Sequence, residues 1–114
     1  MKVWILLAFT VAAAACDQGA SRAGSTTDGA QIYQDMCATC HGPDGTPPAA
    51  MKARLDVRDL SGAEFRARAT PALVEQQVRT GSKNKLMPAF AGALTDEQIK
   101  VVSAYVASPA FLQR

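Results

Sequence analysis

Cys37-Ala38-Thr39-Cys40-His41 constrains this chain more than any other stretch of it. Two thiols three apart with a histidine directly after the second form the spacing that attaches a c-type haem, the cysteines bonding the porphyrin and the imidazole ligating iron. On a helix, positions i and i+3 share a face. Both sulfurs then reach one edge of a flat macrocycle while His41 swings beneath the metal. Two other uses of such a pair compete with this one. A structural zinc site would take Cys37, Cys40 and His41, but zinc wants four ligands, and the sequence has no second histidine and no cysteine downstream. A thioredoxin-like dithiol needs flanking strands, and no stretch alternates with period two over a strand's length.

The chain has 114 residues, 48% of them hydrophobic and 19% charged, which is one ordinary domain at most. A domain of roughly 85 to 100 residues buries a modest share of its surface, so a large apolar cofactor would supply much of its core. The net charge of +2 is too small, and the basic residues too scattered, for a nucleic-acid partner. No phosphate-binding glycine motif is present, and no residue is assigned a catalytic role.

Residues 1–15 read as an export signal: Lys2, an apolar run from Val3 to Val11, then alanines 12 to 15. The run is too short to span a bilayer comfortably. Cys16 follows directly, and Ala15-Cys16 resembles the lipobox of bacterial lipoproteins, in which the cysteine becomes the lipidated first residue. Asp17 resembles the signal that holds such lipoproteins at the inner membrane. The competing reading is ordinary cleavage near Ala-x-Ala, which leaves Cys16 a free thiol or removes it. Residues 16–28 are rich in Gly, Ser, Thr and Ala and read as a flexible linker. With lipid on Cys16, that linker would let the domain wander about 20 Å from the bilayer on average and about 40 Å at full stretch.

A helix should start after Asp28, with Gln31 completing a capping box and Gly29, Tyr33, Met36 or Cys37, and Cys40 along one face. Gly29 leaves room for a crossing helix. Gly29-x-x-x-Tyr33-x-x-x-Cys37-x-x-Cys40-His41-Gly42, followed by Asp44-Gly45, resembles the N-terminal helix, haem site and following turn of class I c-type cytochromes. Leu94-Thr95-x-x-Gln98-Ile99 with Ala104-Tyr105-Val106 is similar to the family's C-terminal helix, so the resemblance covers about residues 28–108. It implies an all-α fold of about four helices around one covalent haem c, with the first and last helices crossing, in a domain over 29–108 followed by a tail at 109–114. It also implies that a backbone carbonyl of the loop at 43–48 accepts a hydrogen bond from the second ring nitrogen of His41. Pro47 and Pro48 are both candidates, in a loop that departs from the commoner Gly-x-Gly form.

Between the two ends, residues 51–59 read as a loop in which Lys52, Arg54 and Arg58 are either solvated or paired with a haem propionate. Ser61 and Glu64 are placed to cap a short helix containing Phe65. Thr70-Pro71 opens another helix with Leu73, Val74 and Val78 as its buried stripe and Gly81 as its end. The loop that follows holds the second iron ligand. His41 is the only histidine, so the sixth position of a fast electron carrier falls to a thioether. Met36 adjoins a haem cysteine and Met51 lies only ten residues after His41, which leaves Met87. Its Met87-Pro88 context resembles the family's axial-methionine loop; the competing reading is a core methionine beside an open sixth site. Lys83 and Lys85 are either solvated charges or a steering pair for an acidic partner. A last helix starts at Thr95, with Gln98 completing a capping box, and stops at Pro109.

The expected function is that of a periplasmic monohaem electron carrier between redox partner proteins, membrane-associated if Cys16 carries lipid, with no substrate. The alternative is a haem-bearing relay subunit of a dehydrogenase or oxidase. A third use, a five-coordinate gas sensor or peroxidase-like haem, needs an open distal side.

Overall fold

The computed structural model describes residues 23–113, so the expected signal at 1–15 and Cys16 lie outside the described residues. Among the described residues there are six α-helices and no strand: α1 Gly29–Met36, α2 Ala38–His41, α3 Ala49–Leu55, α4 Ala63–Arg68, α5 Pro71–Thr80 and α6 Asp96–Ala107, then a 3-10 turn, Pro109–Leu112. The expected count was about four. The first expected helix is broken at Cys37, and α3 arises where a loop was expected. Ala49-Ala50-Met51-Lys52-Ala53-Arg54-Leu55 has no apolar stripe to reveal a helix, but almost every residue is a strong helix former, and Asp56 ends the run at a φ of 50°.

Side-chain caps decide where three of the helices begin. Asp28 Oδ1 accepts from the amides of Ala30 and Gln31 at the head of α1. Gln31 does not close the expected capping box; its amide donates to Asp35 at 3.0 Å, one turn along. Thr70 Oγ1 accepts from Leu73 N ahead of Pro71. Thr95 and Gln98 form the full reciprocal box. The cap expected from Ser61 and Glu64 is absent: α4 starts from Gly62, because Ser61 is turned to Asp59 and Glu64 to Arg68.

Helix α6 is the centre of the molecule. Its Ile99, Val102 and Val106 are buried against Ile32 and Tyr33 of α1 and Val74 and Val78 of α5. Burying each such side chain contributes roughly 1.5–3 kcal/mol. Helix α1 crosses α6 at Gly29, where an added Cβ would lie 2.5 Å from the Val101 carbonyl oxygen and 2.8 Å from Tyr105 Cβ. The backbone oxygen cannot give way. Gly29→Ala is therefore expected to cost about 1–3 kcal/mol, read as a lower denaturation midpoint of the haem-loaded protein.

Both ends of the described chain are packed into this core. Ala23 is buried, and the Gln98 amide donates to the carbonyls of Gly24 and Thr26, each at 2.9 Å, so residues 23–28, read as linker, lie on the N-terminal end of α6. Phe111, read as part of a tail, is fully buried, edge-on to Tyr33 and Tyr105 at centroid distances of 5.0 and 5.5 Å. The Arg66 guanidinium holds the turn down, donating to the carbonyls of Val106, Ala107 and Ser108 at 2.7, 3.3 and 2.9 Å and lying over the Phe111 ring. A cation at the carbonyl end of α6 also complements its dipole. The packed domain thus extends on both sides of 29–108.

Candidate functional site

The backbone turns sharply at Cys37 (φ −118°, ψ −36°), which caps α1 and starts α2. Its carbonyl accepts from both Cys40 N and His41 N, at 3.2 and 3.0 Å, so the single turn of α2 carries the second thiol and the imidazole round from the first. Tyr33 Oη donates to the Gly42 carbonyl at 2.6 Å and Gln34 to the Pro43 carbonyl at 3.0 Å. These bonds tie the chain leaving the motif back to α1. Gly42 itself needs its positive φ of 82°, and a side chain there would strike the Thr46 carbonyl.

The acceptor for His41 Nδ1 is the Arg58 carbonyl, at 3.0 Å, and not Pro47 or Pro48. The Pro48 carbonyl is taken by Lys52 N as the first bond of α3. The chain then returns: Leu60 N donates to the Gly45 carbonyl, and the Thr46 and Ser61 hydroxyls meet at 2.8 Å, which lays residues 58–61 across the turn after the motif. A carbonyl can only accept, so Nδ1 carries the proton and Nε2 keeps its lone pair. Burial lowers the pKa of the ring from its ordinary value, against a smaller opposite effect of the Arg58 bond, which favours the neutral imidazole a metal requires.

Asp59 anchors this returning segment. Its carboxylate lies below the ordinary range, held first by the Ser61 hydroxyl at 2.6 Å and further by the Ser61 amide at 2.9 Å and the Lys52 charge, with burial opposing. A carboxylate whose pKa is depressed in the fold contributes stability above its unfolded pKa and loses it as pH falls through the folded value. Wild type should therefore lose midpoint temperature on acidification below the ordinary carboxylate range more steeply than Asp59→Asn. Melting curves of both proteins at a series of acid pH values test this, and parallel profiles would refute it.

Met87 stands in a loop pinned along its length. Ser82 N donates to the Met87 carbonyl and Ser82 Oγ accepts from Met87 N, both at 3.0 Å. Phe90 N returns to the Val78 carbonyl at 2.9 Å, and Gly81, at φ 71°, lies so close under the loop that a Cβ would come 2.5 Å from the Met87 carbonyl.

Cys37, Cys40, His41 and Met87 all line one cavity of 570 Å³, within the range of about 300–1,000 Å³ typical of cofactor sites. Its walls are apolar, from Leu60, Phe65, Val74, Val78, Phe90 and Val102 among others. Leu73, expected in the core, is 55% exposed and borders this cavity, as does Leu86 at 52%. Met36 also borders it and Met51 does not. Arg58 and Arg68 supply the cationic groups of the lining, the second unforeseen by sequence because nothing in its exposed i,i+4 pairing with Glu64 marks it. No disulfide joins Cys37 to Cys40, and burial, with the neighbouring Cys40 adding to it, pushes the Cys37 thiol up to about 12. The donor set fits a flat, apolar, iron-bearing group: two thiols beside one imidazole, a thioether on the same cavity and hydrocarbon walls.

Comparison with known proteins agrees with this chemistry. Residues 24–106 match the family described as cytochrome C oxidase, cbb3-type, subunit III. Cytochrome c6 of Thermosynechococcus vestitus is 37% identical over 106 residues, covering 93% of this chain and 82% of its own length. The cbb3-type cytochrome c oxidase subunit FixPc of Rhizobium leguminosarum bv. viciae is 36% identical over 86 residues, or 75% of this chain, which spans only 28% of that relative. Among solved structures, the KustC0563 c-type cytochrome superposes with a TM-score of 0.62 at 31% identity, covering 70% of this chain and 94% of that one. The chain belongs to the class I c-type cytochromes, as a small monohaem member with an all-α cytochrome c fold. Its cofactor is one covalently bound haem c.

Proposed function

We propose that this protein is a periplasmic single-electron carrier whose haem is bonded through Cys37 and Cys40 and held at iron by His41 and Met87. The observation that carries the reading is the meeting of these four side chains around one apolar cavity. The haem iron supplies a one-electron couple when bound. The chain's own residues do the rest. The Arg58 carbonyl fixes the His41 tautomer and ring orientation. The pinned 81–90 loop presents the thioether, a ligand that favours the reduced iron and raises the potential. The apolar walls exclude water and substrate alike, so electrons would pass to a docked partner protein without any bond being made. Lys83 and Lys85, exposed on the Met87 loop, give that face a positive charge suited to an acidic partner. Export by residues 1–15 and lipidation of Cys16 at the inner membrane complete the proposal; an intact mass without lipid would remove the anchor and leave a soluble periplasmic carrier.

A redox titration tests the carrier reading. One electron per chain, with no CO bound by the reduced protein at neutral pH, is the expected result. Ready CO binding would point to an open sixth site and a sensor or peroxidase-like haem.

The match to an oxidase-subunit family and to FixPc favours a second reading, a relay subunit fixed in a larger complex. Co-purification at constant stoichiometry through high salt would establish it, since a freely diffusing carrier held by rim charges would be washed away.

A further inference from the structure

One residue grips both the amide and the carbonyl of Met87. Ser82 binds the Met87 carbonyl through its amide and the Met87 amide through its hydroxyl, both at 3.0 Å, so Met87 leaves the backbone from a point fixed twice by the same residue. The hydroxyl is aimed in turn: it donates to Asn84 Oδ1 at 2.6 Å, and that oxygen also accepts from Leu86 N at 3.1 Å. Lys85 N donates to the Ser82 carbonyl at 3.0 Å, closing a tight turn in which Lys85 is held at a φ of 62°. A non-glycine residue in that conformation persists only where surrounding bonds impose it. Ser82 is half-buried and borders the cavity with Asn84, Leu86 and Met87.

We propose that Ser82 and Asn84 are positioning residues for Met87, and that their hydrogen bonds set the fraction of time the sixth iron position stands open to outside ligands. The inference rests on the reading of Met87 as the axial ligand. An outside ligand can bind only when the thioether is off, so its apparent affinity scales with the open fraction. Each lost hydrogen bond shifts such an equilibrium by roughly three- to tenfold.

The test is titration of the oxidised, haem-loaded protein with imidazole. Ser82→Ala removes two side-chain bonds and should tighten apparent imidazole binding by roughly tenfold or more. Asn84→Ala should tighten it by roughly threefold or more. Asn84→Asp keeps the oxygen that both donors use and should stay within about twofold of wild type, a rescue that general loss of stability would not reproduce. Unchanged affinity in Ser82→Ala, or equal affinity in Asn84→Ala and Asn84→Asp, would overturn the proposal. Should Ser82→Ala fail to fold, the Asn84 pair decides alone. Met87→Ala separates this from failure of the underlying reading: if the weak far-red band of thioether-ligated ferric haem survives in that variant, Met87 is not the ligand.

Discussion

Met87→Ala, in the haem-loaded protein, is expected to lose the ferric thioether band, to bind CO and imidazole readily, and to fall in reduction potential by roughly 0.1 V or more, part of the ≈0.8 V that axial ligands span. The argument is one of donors. His41 is the only histidine in the chain, so no second imidazole of the same molecule can take the position. Met36 borders the cavity but adjoins Cys37, next to the attachment edge, and Met51 does not reach the cavity. If Met87 is the sixth ligand, its loss would take away a soft donor that prefers the reduced iron, and the oxidised state would gain. Potentiometry and optical spectra of the two proteins decide the matter. An unchanged potential would remove Met87 from the site.

Phe111→Ala should lower global stability by about 3–5 kcal/mol, as expected for truncating a fully buried aromatic ring. The ring is at 0% exposure, edge-on to Tyr33 and Tyr105, and pressed against Gly45, where even a Cβ would come within 2.6 Å of it. Neighbours that cannot close the gap leave a cavity, and the polar contacts nearby suffer too: Tyr33 also donates to the Gly42 carbonyl at the end of the haem motif. Denaturant unfolding of the haem-loaded variant measures the loss. A shift under 1 kcal/mol would show that the 3-10 turn adds little, contrary to its burial.

Several helix starts written in side chains were legible beforehand, though the caps expected from Gln31 and from Ser61 with Glu64 did not form. Asp28, Thr70 and Thr95 mark helix starts because each offers an oxygen to amides that have no other partner. Cys37, Cys40, His41 and Met87 were expected together from motif spacing, elimination and the resemblance of the Met87-Pro88 loop, and the structure lines one cavity with all four. What stayed hidden was written in backbone. The Arg58 carbonyl is an atom every residue possesses, and only the return of residues 58–61 over the turn selects it. Helix α3 was missed because propensity without an apolar stripe is a weak signal. Leu73 was taken as core from its spacing, yet it faces the cofactor cavity, which a periodicity argument cannot tell from the interior. Ser82 and Asn84 drew no attention in the sequence, because their grip on Met87 depends on a loop five residues wide closing on itself.

The Gln98 amide, clasping the carbonyls of Gly24 and Thr26, ties residues 24–26 to the packed domain. A lipid on Cys16 would then be joined to the packed domain by residues 17–22 alone, a span of at most about 20 Å where the full stretch to residue 28 would have allowed twice that. So short a tie, were Cys16 lipidated, would keep the domain within about its own width of the bilayer surface. Its partners would have to present their redox centres low, near the lipid headgroups, and a tall complex with its acceptor held high above the membrane would be out of reach.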